Sequence, residues 1–198
     1  MIYVLPIFKT SPYSGLCVNT TSSVGQFREL SPFVLGPIQV SAQGIYSENF
    51  ENLWQFSKVY PEHTDIEGNP LPCWYQWQDK GFADKRARRY PMGKGRIPLY
   101  SYWGGQKLGY IDARKQIYAT LYGKCILQTR AFKRLLDLYG ELLEQGSNLI
   151  LLDYDAYDHR KLGMSLVDVI NEPNRKMGHA FVLMMLLTNE LDKCIRSI

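Results

Sequence analysis

Asn148-Leu149-Ile150-Leu151-Leu152-Asp153 is a short apolar run bounded by Gly146 and Asp153, and it reads as a buried strand. It delivers three carboxylates, Asp153, Asp155 and Asp158, at and beyond its C-terminal edge. Residues 2–7 are β-rich and read as a first strand. Residues 11–28 are rich in Ser, Thr and Gly and read as loop, with a short strand at Leu16–Asn19. Residues 30–37 form a bend punctuated by Pro and Gly, and residues 38–40 read as a further strand.

The rest of the pattern is mostly helical. A helix is expected between Ser47, which can cap it, and Pro61, which stops it. Its apolar face is Phe50, Leu53 and Trp54, at i, i+3, i+4 spacing. Residues 71–90 set Trp74, Tyr75, Trp77 and Phe82 among charges and read as two short helices. Residues 90–103 read as loop, and Gly104-Gly105 as a turn. Helices are expected at 110–128 and 131–144. Ser165 and Asp168 fit a capping box for a short helix. A last helix is expected at 176–191, with residues 180–187 as buried core. The fold class expected is α+β: one mainly helical domain over residues 1–198, packed around a small β-sheet.

Composition supports that class and narrows the function. The chain has 198 residues, of which 45% are hydrophobic and 21% charged, as in ordinary globular proteins. A chain of this length buries a sizeable core without disulfides or a structural metal. Cys17, Cys73, Cys125 and Cys194 are scattered, without a Cys-x-x-Cys pair or histidines at zinc spacing. They read as free thiols in a reducing, cytoplasmic compartment, with no metal site and no cofactor implied. The first eight residues are apolar but lack the basic start of a signal peptide. The longest apolar run, 180–187, falls far short of the roughly 20 residues that cross a bilayer, so no membrane partner is expected. A net charge of +4 suits an anionic ligand such as a nucleotide without requiring one.

Three features carry possible chemistry. Glu51, Gln55 and Lys58 share a second face of the first helix. They read either as a solvated stripe held by i,i+4 contacts or as a ligand-facing set. Residues 96–107 join Arg96 and Lys107 to Tyr100, Tyr102 and Trp103. There the flexible, cationic Gly93-Lys94-Gly95-Arg96 can bring backbone close to an anion, although it lacks P-loop spacing. The third feature is the aspartate group. Buried together the three would repel, and they lack the Gly and terminal Glu of a calcium loop. They read as solvated or helix-capping residues, as ligand-binding or catalytic carboxylates, or as oxygen ligands to a divalent cation. In addition, Lys85, Arg86, Arg88 and Arg89 lie among aromatics. That composition fits a nucleic-acid surface as well as an ordinary solvated helix face.

The three features together are similar to the NADAR superfamily. Glu51-Asn-Leu-Trp-Gln55-Phe-Ser-Lys58 resembles that family's Glu-His-x-Tyr-Gln-Ala-x-Lys helix, with Glu, Gln and Lys at the same spacing. Leu30-Ser31-Pro32-Phe33 resembles its Leu-Ser-Asn-Phe, with Pro in place of Asn. Gly95-Arg96-Ile97-Pro98-Leu99, leading to Trp103 and Lys107, resembles its Gly-Arg segment before Asp-Trp, with Tyr102 where the Asp stands. Leu152-Asp153 and Asp158 resemble its acidic strand end, although the following Trp is absent. Residues 178–187 resemble its closing helix, with Ala180 and Leu183 replacing the Asn and the second Gly. The likeness spans most of residues 30–187 and treats residues 65–90 as an insertion.

The resemblance implies an N-glycosidase-like hydrolase acting on a ribosyl or ADP-ribosyl N-glycosidic bond. Glu51, Trp103 and Asp158 match the positions of active-site residues. Gln55, Lys58, Arg96, Lys107 and Asp155 would bind substrate. The partner it implies is a nucleotide or ADP-ribosyl compound, and nucleic acid carrying a modified base falls in the same class. Cleavage of such a bond builds positive charge on the sugar carbon, which a carboxylate stabilises while a second carboxyl handles a proton. A non-catalytic binder of ADP-ribose-like nucleotides and a nucleic-acid-binding protein are the rival expectations.

Overall fold

The computed structural model describes residues 1–40 and 44–197. The chain is α+β, with helix outweighing strand. It divides into two compact units: Met1–Ser31 together with Ala119–Ile198, and Pro32–Tyr118.

The first unit is organised by Leu149–Asp153, the central strand of a three-stranded sheet. Ile2–Pro6 and Leu16–Asn19 flank it, both parallel to it. A central parallel strand is covered on both faces, which is why its sequence is continuously apolar and not alternating. The helix His179–Leu187 packs on this sheet. Its residues 179–185 are buried all round, as expected of a helix with no polar stripe. The two elements are tied by Asp153, only 3% exposed. Its Oδ2 accepts from the Ala180 N–H at 3.0 Å and faces His179 Nδ1 at 3.1 Å. Its Oδ1 accepts from the Tyr154 N–H at 2.6 Å. His179 Nε2 lies 2.9 Å from the Thr20 carbonyl, which can only accept, so that nitrogen carries a proton. Of the readings open for the aspartates, Asp153 takes the capping one.

Arg130–Glu144 is an amphipathic helix begun by Thr129, whose hydroxyl accepts from the Phe132 N–H. Leu166–Asn171 carries the expected capping box between Ser165 and Asp168. The expected helix at 176–191 is shorter, His179–Leu187, and a further short helix follows it. Gly178 is the N-cap of the first, Asn189 adopts a left-handed φ of 59°, and Leu191–Arg196 follows.

In the second unit the helix Phe50–Phe56 departs at both ends from expectation. Ser47 lies in a two-stranded ladder with residues 38–39, and Asn49 caps the helix through the Asn52 N–H at 2.9 Å. Asn and Ser are about equal as N-caps, so the strand pairing of Ser47 decides between them. The helix stops before Pro61 because Lys58–Val59 pairs antiparallel with Tyr100–Trp103. Residues 100–103 are therefore a strand and not loop. Gly104 and Gly105, with φ of 56° and 80°, make the two-residue turn to Gln106–Leu108, a conformation that glycine adopts without strain.

Residues 71–90 form one helix, Pro72–Ala83, followed by an irregular segment, and not two helices. This helix belongs to the core of its unit. Trp74 is buried and donates from Nε1 to the Lys58 carbonyl at 2.9 Å. Gln78 donates to the Phe56 carbonyl at 3.2 Å, satisfying the end of the first helix. The helical run at 110–126 is not uniformly α: Tyr110–Ala113 is α, Arg114–Ala119 is π, and Thr120–Ile126 is α again.

Gly178 has an ordinary negative φ of −78°, so space and not conformation requires glycine there. An added Cβ would fall on the Asp153 carboxylate. Gly140, within Arg130–Glu144, has nothing within 4 Å of such an atom. Gly178→Ala is therefore expected to destabilise by about 1–3 kcal/mol. Gly140→Ala should stabilise by roughly 0.5–1 kcal/mol. Urea unfolding of the two variants checks the opposite signs.

Candidate functional site

The helix Phe50–Phe56 carries the best-organised polar group in the second unit. The loop before it fixes its first turn: Phe50 N–H donates to the Leu35 carbonyl at 2.8 Å and Glu51 N–H to the Pro32 carbonyl at 2.9 Å. The contact at residue 32 uses backbone, so proline serves there. Glu51 is 6% exposed and Gln55 8%, which excludes the solvated-stripe reading. Gln55 Nε2 donates to Glu51 Oε1 at 2.9 Å, and Lys58 Nζ donates to Gln55 Oε1 at 2.7 Å. The amide orientation follows from its neighbours, since an ammonium can only donate and a carboxylate only accepts. The Lys58 ammonium also lies 4.8 Å from the Trp54 ring centroid. Glu51 stands in the first helical turn, where the macrodipole favours negative charge.

Sheet register brings Trp103 to the same face as Lys58. Lys58 pairs with Ser101, and side chains alternate along a strand, so Ser101 and Trp103 share a face. Trp103 is half-buried and, among the described residues, makes no ring contact and no indole hydrogen bond. Lys107 pairs with Tyr102 and takes the opposite face. Its ammonium donates to Asn69 Oδ1 at 2.9 Å. Arg96 is exposed and gives Nη2 to both Glu62 carboxylate oxygens, at 2.5 and 2.7 Å. Hydrogen bonds bring Glu51, Gln55 and Lys58 together, and Trp103 shares the sheet face of Lys58, while Arg96 and Lys107 hold to other neighbours. The buried cations of this unit are Arg114, its guanidinium 4.5 Å from the Tyr110 ring centroid, and Lys115.

Residues 85–89 are not a helix. Asn52, fully buried, ties this basic segment down. Its Nδ2 donates to the Asp84 and Arg86 carbonyls at 2.8 and 3.1 Å, and its Oδ1 accepts from the Arg88 N–H at 2.7 Å. Arg88 is further paired with Asp84 at 2.8 Å. Asn52 occupies the His position of the motif quoted above, and nothing local in the sequence announced this partner.

Asp155 and Asp158 belong to the first unit. The Asp155 carbonyl accepts from the Gly178 N–H at 2.8 Å. Asp158 is half-buried; its Oδ2 accepts from the Tyr13 hydroxyl at 2.5 Å and its Oδ1 from the Lys161 N–H at 3.3 Å. Tyr13 stacks on Tyr3 with centroids 3.7 Å apart, and Lys161 and Arg160 cations lie 5.3 Å from the Tyr13 and Tyr3 rings. Tyr13, within a stretch read only as loop, is the residue that sequence reasoning missed. Its separation of 145 residues from Asp158 leaves no local signal.

Among the described residues no group of His, Cys, Asp and Glu is arranged to hold a metal ion, and all four cysteines are free. Among the same residues no helix is long and apolar enough to cross a membrane.

The fold and these side chains define an α+β protein with a hydrogen-bonded carboxylate–amide–ammonium chain, its carboxylate and amide buried, and a half-exposed tryptophan on the strand paired with Lys58. The chain belongs to DUF6939, a family of unknown function whose profile matches residues 9–169. No curated protein and no solved structure matches it.

The hydrogen bond to Asp158, then burial, then the Asp158 charge push the Tyr13 hydroxyl up to about 12. Because the folded-state value is raised, its contribution to stability is present below about 10 and is lost as pH rises toward about 12. Tyrosine ¹³Cζ NMR titration, with Tyr13→Phe for assignment, should show this resonance unmoved at pH 10.5. An ordinary midpoint near 10 would remove the Asp158 bond from the account.

Proposed function

We propose that this chain is an N-glycosidase-like hydrolase that cleaves a ribosyl or ADP-ribosyl N-glycosidic bond. The observation that carries the reading is the buried Glu51 carboxylate. It accepts from Gln55, which is anchored by Lys58, at the Glu-Gln-Lys spacing of the NADAR helix. Such a carboxylate suits a transition state in which the sugar carbon becomes cationic. In low dielectric its attraction to that charge is far stronger than in water. The Lys58–Gln55 chain directs a hydrogen bond at the ionised form and holds the carboxylate in place.

Heterolysis leaves the bonding pair on the departing nitrogen, which takes up a proton. Water adds its oxygen to the sugar carbon and gives a proton to a carboxylate. Glu51 is the first choice for that base, and the proton it takes from water balances the one gained by the departing nitrogen. Trp103, on the Lys58 face and without a ring neighbour among the described residues, offers a flat surface for the base or sugar. Arg96 and Lys107 are committed to Glu62 and Asn69, so either would have to exchange that partner to hold a phosphate.

The test is release of free base, followed by chromatography, from nucleosides, nucleotides, NAD⁺ and an oligonucleotide carrying ADP-ribosylated guanine. At least one should be hydrolysed, and Glu51→Gln should lower kcat by about 10²–10⁴. ADP-ribose binding by calorimetry without released base from any substrate would replace hydrolysis with a binding role. Full activity in Glu51→Gln would remove the carboxylate from the mechanism.

A further inference from the structure

The three-stranded sheet of the first unit has two edges, and they are treated differently. In the parallel ladder, Ile2, Val4 and Pro6 turn their backbone groups away from the central strand. That outer edge is blunted. Arg160 donates to the Ile2 carbonyl at 2.5 Å, Pro6 has no N–H, and the Pro6 carbonyl accepts from the Lys9 N–H at 3.1 Å. These are the devices by which proteins close a sheet edge.

At the other edge, Leu16 and Thr20 N–H groups point inward, to the Asn148 and Leu152 carbonyls. Cys17 and Asn19 therefore present N–H and C=O outward. Among the described residues those groups have no partner, and Leu16, Cys17 and Asn19 are exposed. A cleft of about 210 Å³ runs along this edge. Consecutive residues Leu16, Cys17 and Val18 all line it, which places it beside the strand and not on one face. Its far wall is the helix Arg130–Glu144, which contributes Leu138 and the exposed Asp137 and Glu141. Neither of these carboxylates has a protein partner among the described residues, whereas Arg134 is held by Gln26 at 2.8 Å.

We propose that this edge is a docking site for an extended peptide carrying basic residues at alternate positions, which adds a strand beside Leu16–Asn19. An open ladder selects an extended backbone. Asp137 and Glu141 are four residues apart on a helix, about 6 Å along its axis. Alternate residues of a strand repeat at about 6.6 Å, so two lysines or arginines on one face of the peptide match both carboxylates. A second copy paired edge to edge would bring like charges together instead.

The test uses a short fluorescent peptide of alternating valine and lysine, read by anisotropy against the full chain. Saturable binding is expected, weakened on the order of tenfold or more by Asp137→Lys with Glu141→Lys. The same weakening is expected for a peptide N-methylated on its ladder-forming amides. That second arm leaves the protein unaltered and so does not depend on any variant folding. Equal binding of the N-methylated peptide or of a valine–glutamate peptide would overturn the proposal. So would an absence of binding, or a dimer by light scattering that Cys17→Pro converts to monomer.

Discussion

Burying a carboxyl group where water barely reaches costs free energy unless the surroundings replace its hydrogen bonds to water. Glu51 is in that position, and the local structure of its unit is arranged around the requirement. Asn49 caps the helix and the 32–35 loop takes up its leading N–H groups, so the positive end of the helix lies under the carboxylate. Gln55 supplies a directed donor, and Lys58 fixes which way the amide points. Lys58 reaches Gln55 from a strand, since the helix ends at Phe56 and the chain then pairs with residues 100–101. The same pairing sets the register that gives Trp103 and Lys58 a common face. One buried carboxyl group thereby links helix length, strand pairing and the placement of an aromatic side chain.

The aspartates illustrate how environment divides one residue type into separate tasks. Asp153 is sealed between the end of a strand and the start of a helix, with a histidine and two backbone N–H groups around it. It holds the first unit together, and Gly178 leaves room for it. Asp158, five residues on, is half-exposed and carries one short bond from a stacked tyrosine, with cations over both rings. That arrangement leaves the carboxylate partly exposed, with a hydrogen bond to each of its oxygens.

The parts legible in the sequence were those written in local spacing. The buried strand at 149–153, the capping box at Ser165, the glycine turn at 104–105 and the core helix at 180–187 each carry their signal within a few residues. So does the Glu51-Gln55-Lys58 set. The misjudged parts depend on distant partners. Ser47 and Lys58 were drawn into strands by residues 38–39 and 100–101, which ended the helix sooner and moved its cap. The basic run at 85–89 lost its expected helix to a buried asparagine more than thirty residues earlier. Tyr13 lies in a Ser- and Gly-rich stretch that suggests only loop, and its role appears once Asp158 is beside it.

A crystal structure of the chain soaked with ADP-ribose tests the central claim most directly. The account expects ligand density against Glu51, with a ribose carbon within hydrogen-bonding or van der Waals reach of its carboxylate and a ring of the ligand on Trp103. Ordered ADP-ribose elsewhere on the surface, with the Glu51–Gln55–Lys58 chain untouched, would contradict it.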